Sequence, residues 1–586
     1  MDERTGYLVS VVEQTELEGG VLPGLKSTFC HSPPERRSFP TAKILERVPC
    51  SDTPGGGMMR GSGGRMRNSK TISSAPLKPV PRNGWVHKCD VDDYLDRHLP
   101  VPTQVVSNEE YYPLPQTRKQ KAVEYHLLEM ASHNARSLEM ERRDFLRTAC
   151  GMATAFAAMN KVFGNFFRVE AAEMLEPAAA AESKVDYFIF DVQTHHVAVD
   201  RYRVLGINLL DFRRAGRQWN PELRKRDPEP QDLYLENYIK EVFLDSDTDV
   251  AAISGVPAGT DNANILPPDQ MVKTRGWVNQ LTHSRRMISH GLISPDLGTQ
   301  NRERMQVQAE KLKIDAWKGY TGQGLGDNKD GWWLDDEKIA YPTLEYSRRL
   351  KIKNICIHKG LASGLFNEEH CHPKDVVRVS KDFPDLNFLI YHSGFKSLEE
   401  VLPAAQDGFR KSSYVPWVSD LCEYRKKNPH MKNVYMELGS TFGLMAITQP
   451  LLCCHVLGMI IGAFGADHLL WGTDSIWWGS PQWQIEALRR LEMPNTLIKQ
   501  FGYKPLTTEL KRQIFGLNAA RVYGIDPKVR RNPVPPDYVD QLKKLYRQAG
   551  GPRPSNTQYG WVADTSAPSA AGGCSVSHLC FSAGRS

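Results

Sequence analysis

The sequence predicts a (β/α)8 TIM barrel carrying loop insertions, and three observations lead there. From residue 182 to 526, short β-rich runs alternate with longer helical patterns, as strand–helix units around a parallel sheet require. Eight such runs occur, spaced widely enough for a crossover helix and its loops. Four of them end on His or Asp, at the end of the strands where such a barrel places its chemistry. An open doubly wound sheet is the alternative that shares this alternation.

Taken in order, residues 1–117 read as a disordered, low-complexity extension rich in Gly, Pro, Ser and Arg, including Thr53-Pro-Gly-Gly-Gly. Such a stretch buries too little apolar surface to offset its ordering entropy. Residues 118–181 read as a helical leader. A polar helix over 118–142 is followed by Arg142-Arg143-Asp144-Phe145-Leu146, an Ala/Gly-rich apolar run from Thr148 to Met159, and Pro177-Ala-Ala-Ala-Ala181. Basic, apolar and small-residue parts in that order form an export-signal layout. The core Arg142, Arg143, Phe145, Leu146 resembles a bacterial twin-arginine (Tat) signal. That implies export by the Tat translocon to the periplasm or outside a bacterium, and a cytoplasmic chain if the segment is an ordinary amphipathic helix.

The predicted strands are Asp186–Val192, Asp249–Ser254, Met287–Ile293, Lys313–Trp317, Asn354–His358, Asn387–His392, Asn433–Leu438 and His468–Gly472. Residues 527–586 read as one helix, Pro536–Gln548, packed back on the barrel, then a flexible tail from about Pro552.

Composition excludes some functions. The chain has 586 residues, 40% apolar, with a net charge of +6. No basic run coincides with an aromatic platform, so no nucleic-acid partner is expected. The longest apolar run, Leu451–Phe464, is shorter than the roughly 20 residues a membrane span needs, so no stable span is expected. There are 11 cysteines. Cys453 and Cys454 read as buried small hydrophobes; Cys574 and Cys580 are close enough in sequence to pair, which spacing alone does not decide. A homo-oligomer is compatible with the sequence.

The chemistry is read from the strand ends. The first strand continues as Gln193-Thr194-His195-His196, with 193 and 195 on one side. The fifth ends on His358, the sixth on His392, and the eighth leads into Gly472-Thr473-Asp474. With these residues the chain resembles the amidohydrolase superfamily, in its amidohydrolase-related (amidohydrolase 2) group, over roughly residues 185–525. The family's first-strand motif is His-x-His or Glu-x-His; here Gln193 stands at its first position. A glutamine offers a neutral carbonyl oxygen, a weaker ligand for a borderline metal than imidazole. The resemblance implies a divalent metal, Zn2+ or the harder Mn2+, held by His195, His358 and Asp474. It implies Asp474 as proton acceptor and His392 beside the metal to orient or protonate substrate. Gln193, His196 and Lys318 are then candidates for binding a small-molecule substrate. Lys318, placed at the end of the fourth strand, bridges two metals in binuclear relatives; neutralising a substrate carboxylate or facing solvent are the plainer roles. The role of Glu437 is open.

Other features weigh less. Gly322-Gln-Gly324-Leu-Gly326 suits a lid over the barrel mouth better than a phosphate loop. His370-Cys371-His372 reads as a helix start. Trp332, Trp333, Trp417, Trp477 and Trp478 line a pocket or anchor loops, and Arg213, Arg214 and Arg217 face solvent or hold a carboxylate. The leading function is metal-dependent hydrolysis of an ester, lactone or amide. The alternatives are metal-dependent decarboxylation of an aromatic or unsaturated acid, and a non-catalytic binding protein with a degraded metal site.

Overall fold

The computed structural model describes most of residues 99–527, with breaks at 106–110, 112–113, 183–184, 199–202, 205–206, 209–234, 259–263, 283, 327–329, 363–365 and 478; it also describes 85–87, 538–548 and 561–563. Eight parallel strands occupy the expected regions: β1 Phe190–Thr194, β2 Val250–Ile253, β3 Met287–Leu292, β4 Ala316–Tyr320, β5 Asn354–His358, β6 Asn387–Tyr391, β7 Val434–Glu437 and β8 Leu469–Leu470. Each pairs with its neighbours in sequence, from β1 through β8. That order excludes a doubly wound sheet, whose strand order reverses at a switch point. The ring closes through Val192 N–H to Trp471 O (3.0 Å), Asp474 N–H to Gln193 O (2.9 Å) and a parallel bridge between Thr194 and Ser475.

The interior is plugged by Phe190, Val192, Ala252, Ile288, Ala316 and Leu389, while Trp317, Met436 and Trp471 face the outer helices. A packed interior is what an eight-stranded barrel requires. The strand limits shift in two places that matter for the site. β4 runs on to Tyr320, so Lys318 lies inside the strand, fully buried, rather than at its end or in solvent. β8 is only two residues long, and Trp471–Asp474 continues as an irregular segment tied to β1.

The helical leader is folded onto the barrel. Helix α1, Arg118–Ser137, starts at a capping box built by Thr117 and Gln120, which satisfies two otherwise orphaned donors. Helix α2, Ala149–Phe163, starts at Thr148, whose hydroxyl accepts from Gly151 N–H at 3.1 Å. Phe145 and Leu146, between them, are buried in the main core, while Arg142 and Arg143 are exposed.

Two expectations are corrected. Residues 99–105, 111 and 114–117 are ordered, although they fall in the stretch read as a disordered extension. Leu99, Val101, Val105 and Tyr111 are core residues, and Thr103 O accepts from Gln120 Nε2 at 3.0 Å. The polar average of the segment hid these few apolar anchors. Trp85–His87 also pairs antiparallel with Trp561–Ala563, so part of the C-terminal tail forms a strand. Residues 1–84, and with them the Gly-rich stretch, lie outside the described residues, as do Cys574 and Cys580. The helix Tyr538–Gln548 does pack back, through Tyr546 Oη to Asp245 Oδ1 at 2.5 Å. Pro450–Phe464 is a mostly buried helix; among the described residues no helix is long and apolar enough to cross a membrane.

Candidate active site

The register of β1 against β2 shifts between Asp191 and Thr194. A bulge of this kind re-aims the side chains that follow it. Phe190 and Val192 belong to the apolar plug; Gln193, within the shift, and His195, after it, reach Asp474. Gln193 Nε2 donates to Asp474 Oδ1 at 3.0 Å, and His195 Nε2 lies 3.1 Å from the same oxygen. Ser440 Oγ donates to Oδ2 at 2.5 Å. His195 Nδ1 donates to Ser254 O at 2.9 Å, a carbonyl that only accepts, and so Nε2 is the nitrogen turned to the site. Asp474 has φ +60°, a left-handed conformation that a non-glycine residue adopts when its surroundings hold it there.

A second group stands on β4 to β7. His392 and Ser393, just past β6, also have positive φ, +60° and +52°. Glu437, at the end of β7, accepts from His392 N–H (3.0 Å) and Gly439 N–H (2.7 Å), which fixes this turn. The His392 ring lies 4.7 Å from that of His358, which stacks on Tyr320 at 4.7 Å. Lys318 Nζ sits 3.4 Å from the Tyr391 ring centroid, a cation–π contact. All of these side chains are buried.

Burial and charge set the protonation states. Burial pushes the Asp474 carboxyl up, but the His195 contact, the charge of His392 and the Ser440 hydroxyl outweigh it and leave it below the ordinary carboxylate range. Burial, then Lys318, hold His358 well below 6.5 and therefore neutral. Burial raises Glu437 to about 8, against its two backbone donors and Lys318. Asp191, beneath Asp474, is raised by burial to about 7 although Thr473 and Gln193 donate to it.

The structure thus brings Gln193, His195 and Asp474 into contact, and sets His358, His392 and Lys318 in the same barrel end. His196 is not part of this cluster: its ring nitrogens meet Val197 O (3.1 Å) and Thr274 Oγ1 (2.8 Å), which is a structural role. Trp477 stacks on His195 with centroids 6.0 Å apart, whereas Trp332 is a buried loop anchor. Trp478, Arg213, Arg214 and Arg217 lie outside the described residues. Asn367 and His372 each cap a short helix around His370-Cys371-His372, as a helix start requires. Sequence reading missed Ser440 and Ser254, which hold Asp474 and His195. Ser440 follows Glu437 in a run of small residues, Gly439-Ser440-Thr441, and that was its only signal.

Whether these residues suit a divalent cation is a question of donor chemistry and placement. A metal wants neutral imidazoles and an ionised carboxylate; His358 is neutral and Asp474 anionic. There is also a cradle: a Cβ on Gly439 would stand 2.6 Å from His392 Nδ1 and 2.9 Å from Gln193 Oε1, and Gln193 Oε1 is buried with no hydrogen-bond partner. Among the described residues, however, no three His, Cys, Asp or Glu side chains converge as a ligand set. His195 and Asp474 contact each other instead. The donors fit a cation in kind, and binding one would mean exchanging that contact for two bonds to the ion.

No curated protein matches the chain in sequence. Among solved structures it is similar to an uncharacterised TIM-barrel protein from Bordetella bronchiseptica, at 16% identity and TM-score 0.38 over 57% of this chain and 98% of that one. It is similar to 5-carboxyvanillate decarboxylase from Sphingomonas paucimobilis, at 13% identity and TM-score 0.36 over 58% and 100%. It is also similar to a probable 2-pyrone-4,6-dicarboxylic acid hydrolase from Acinetobacter baumannii, at 10% identity and TM-score 0.34 over 57% and 99%. Residues 308–525, which carry β4 to β8 with Lys318, His358, His392, Glu437 and Asp474, match the family model for amidohydrolases.

Proposed function

We propose that the chain is a metal-dependent hydrolase that opens an ester, lactone or amide at the C-terminal end of the barrel strands. The observation that carries this reading is the 3.1 Å contact of His195 Nε2 with Asp474 Oδ1, at the point where β1 and the segment after β8 meet. His195, His358 and Asp474 are the residues that would hold the cation. When bound, such a cation supplies positive charge that polarises a carbonyl and lowers the pKa of water. Ser254 holds the His195 ring, and Ser440 and Gln193 each donate to Asp474, which orients its carboxylate to take up the proton released during attack. His392, fixed by Glu437, is placed to protonate the leaving group. Gln193 turns an amide to Asp474 and keeps Oε1 for a donor on the substrate.

Lys318 supports a second reading. A buried ammonium inside the barrel favours an anionic substrate, and a carboxy-lyase needs a cation facing the departing carboxylate. There the C–C bond breaks, CO2 leaves, and a proton takes its place on carbon.

Two measurements test these readings. Metal analysis of the purified full chain, beside His358→Ala, is expected to find a divalent metal that the variant loses. A metal-free wild type that hydrolyses esters or lactones at the same rate in chelator would sink the metal-dependent mechanism. Release of CO2 from aromatic acids, with no hydrolysis of esters or lactones, would transfer the assignment to the lyase.

A further inference from the structure

The barrel interior turns polar one layer above its apolar plug. Ile288 belongs to the plug, and His290, two residues on in β3, faces the same interior. It is fully buried, at a depth where such a barrel carries branched aliphatic side chains. A buried polar group costs stability unless it is hydrogen-bonded, and His290 has a partner at both nitrogens. Nε2 lies 3.3 Å from Tyr523 Oη, and Nδ1 lies 3.1 Å from Ser254 Oγ. Burial, then the charge of Lys318, push the imidazole down to about 3. The neutral ring has one N–H and one lone pair, and each meets a hydroxyl that can donate or accept.

Tyr523 anchors this ring from the N-terminal end of the strands. It ends the helix Asn518–Tyr523, and the neighbouring Val522 O accepts from Nδ2 of Asn354, the first residue of β5, at 3.1 Å. The Tyr523 ring stacks on His290 with centroids 6.3 Å apart, and its hydroxyl also meets Cys356 Sγ at 3.4 Å. On the other side of His290 stands Ser254. The paired part of β2 ends at Ile253, so Ser254 lies one residue past the ladder. Its N–H donates to Thr194 O at 2.9 Å, and its carbonyl accepts from His195 Nδ1 at 2.9 Å. Its hydroxyl reaches His290. A row of contacts therefore runs from the floor of the barrel through Tyr523, His290 and Ser254 to His195.

We propose that His290 is a positioning residue: by holding the Ser254 hydroxyl it fixes the carbonyl that orients His195, and so keeps Nε2 of His195 turned to the site. The proposal rests on the metal-dependent reading above and adds a residue that touches neither cation nor substrate. Loss of an outer partner of a ligating imidazole costs roughly 10–100-fold in metal affinity. His290 acts one step further out, so the lower end of that range is expected.

Zinc affinity of the full chain, read by competition with a chelating dye, tests this. Wild type is expected to bind Zn2+. The double variant Ser254→Ala/His290→Leu removes both partners of the contact and leaves the carbonyl of residue 254 in place. Replacing both partners by apolar groups is close to neutral for stability, so it is expected to unfold near the wild-type temperature and yet to bind Zn2+ about tenfold more weakly. His290→Leu alone is expected to match it, because both break the same contact. His290→Asn keeps a polar atom near the place of Nδ1 and is expected to stay within about threefold of wild type. A folded double variant with a Kd within about threefold of wild type, or an Asn variant as weak as the Leu variant, would overturn the proposal. Failure of wild type itself to bind Zn2+ would instead sink the metal-dependent reading, and the proposal with it.

Discussion

His195 Nε2 and Asp474 Oδ1 stand 3.1 Å apart across the seam that closes the barrel, and Gln193 Nε2 shares the same oxygen at 3.0 Å. Two side chains at the end of β1 therefore depend on one carboxylate from a distant part of the chain. Asp474→Asn removes its charge and its proton-accepting oxygen with little change of shape. Loss of a positioned general base slows reactions by roughly 10²–10⁴-fold. Turnover of an aryl ester or lactone substrate is expected to fall by about that factor, with the far-ultraviolet circular dichroism unchanged. A fall of less than about threefold would remove Asp474 from the chemistry.

Gln193 occupies a place where an imidazole would give a stronger ligand. Gln193→His is expected to raise affinity for Zn2+, read as at least about a tenfold lower Kd in competition with a chromophoric chelator. An unchanged Kd would mean that this position faces substrate alone and takes no part in holding the ion.

These two residues show what was legible in the sequence. Gln193 and His195 are two apart, and an extended chain puts them on one side; the register shift between Asp191 and Thr194 supplies the correct side. β5 runs from Asn354 to His358 as expected, because charged residues bound a pure apolar run. β4 was less legible, since Lys318 and Gly319 look like the polar end of a strand while the structure uses them inside the barrel. Ser254 and Ser440 had no local pattern at all. They touch His195 and Asp474 only because β2 and the turn after β7 are brought beside them by the closed ring.

Gly439 has φ +45°, and a Cβ there would press on His392 Nδ1 and Gln193 Oε1. Gly439→Ala combines backbone strain with a clash in the cradle. Activity is expected to drop at least tenfold, a barrier increase of about 1.4 kcal/mol, because the two polar side chains move out of register. Kinetics on the folded variant check this; wild-type kcat and KM would show that the cradle is not used.

Phe145 is fully buried in the main core next to α2. Phe145→Ala leaves a cavity there, and substitutions of this kind cost about 3–5 kcal/mol. Urea unfolding of the full chain is expected to show a loss of that size, and truncation to residue 182 a larger one. A loss below about 1 kcal/mol for Phe145→Ala would mean that the leader packs too loosely to support the barrel.

Glu437 gives the stability of the barrel a direction with pH. Its carboxyl is raised by burial from 4.5 to about 8 in the folded chain. Between those values the unfolded chain has released the proton and the folded chain still holds it, so folding binds a proton. Stability is then full below about pH 4.5, declines as the pH rises, and levels off above about 8. His290 and His196 act in the other direction. Burial lowers them to about 3 and about 4, so their contribution is present above 6.5 and is lost as the pH falls towards those values. Glu437→Gln keeps an acceptor for His392 and Gly439 but has no proton to release. Denaturant midpoints measured from pH 4 to 9 are expected to decline less steeply with rising pH in this variant, with the share of Asp191, raised to about 7, left in place, and to keep the acid decline. A decline of the same steepness in Glu437→Gln and wild type would place the titrating group elsewhere.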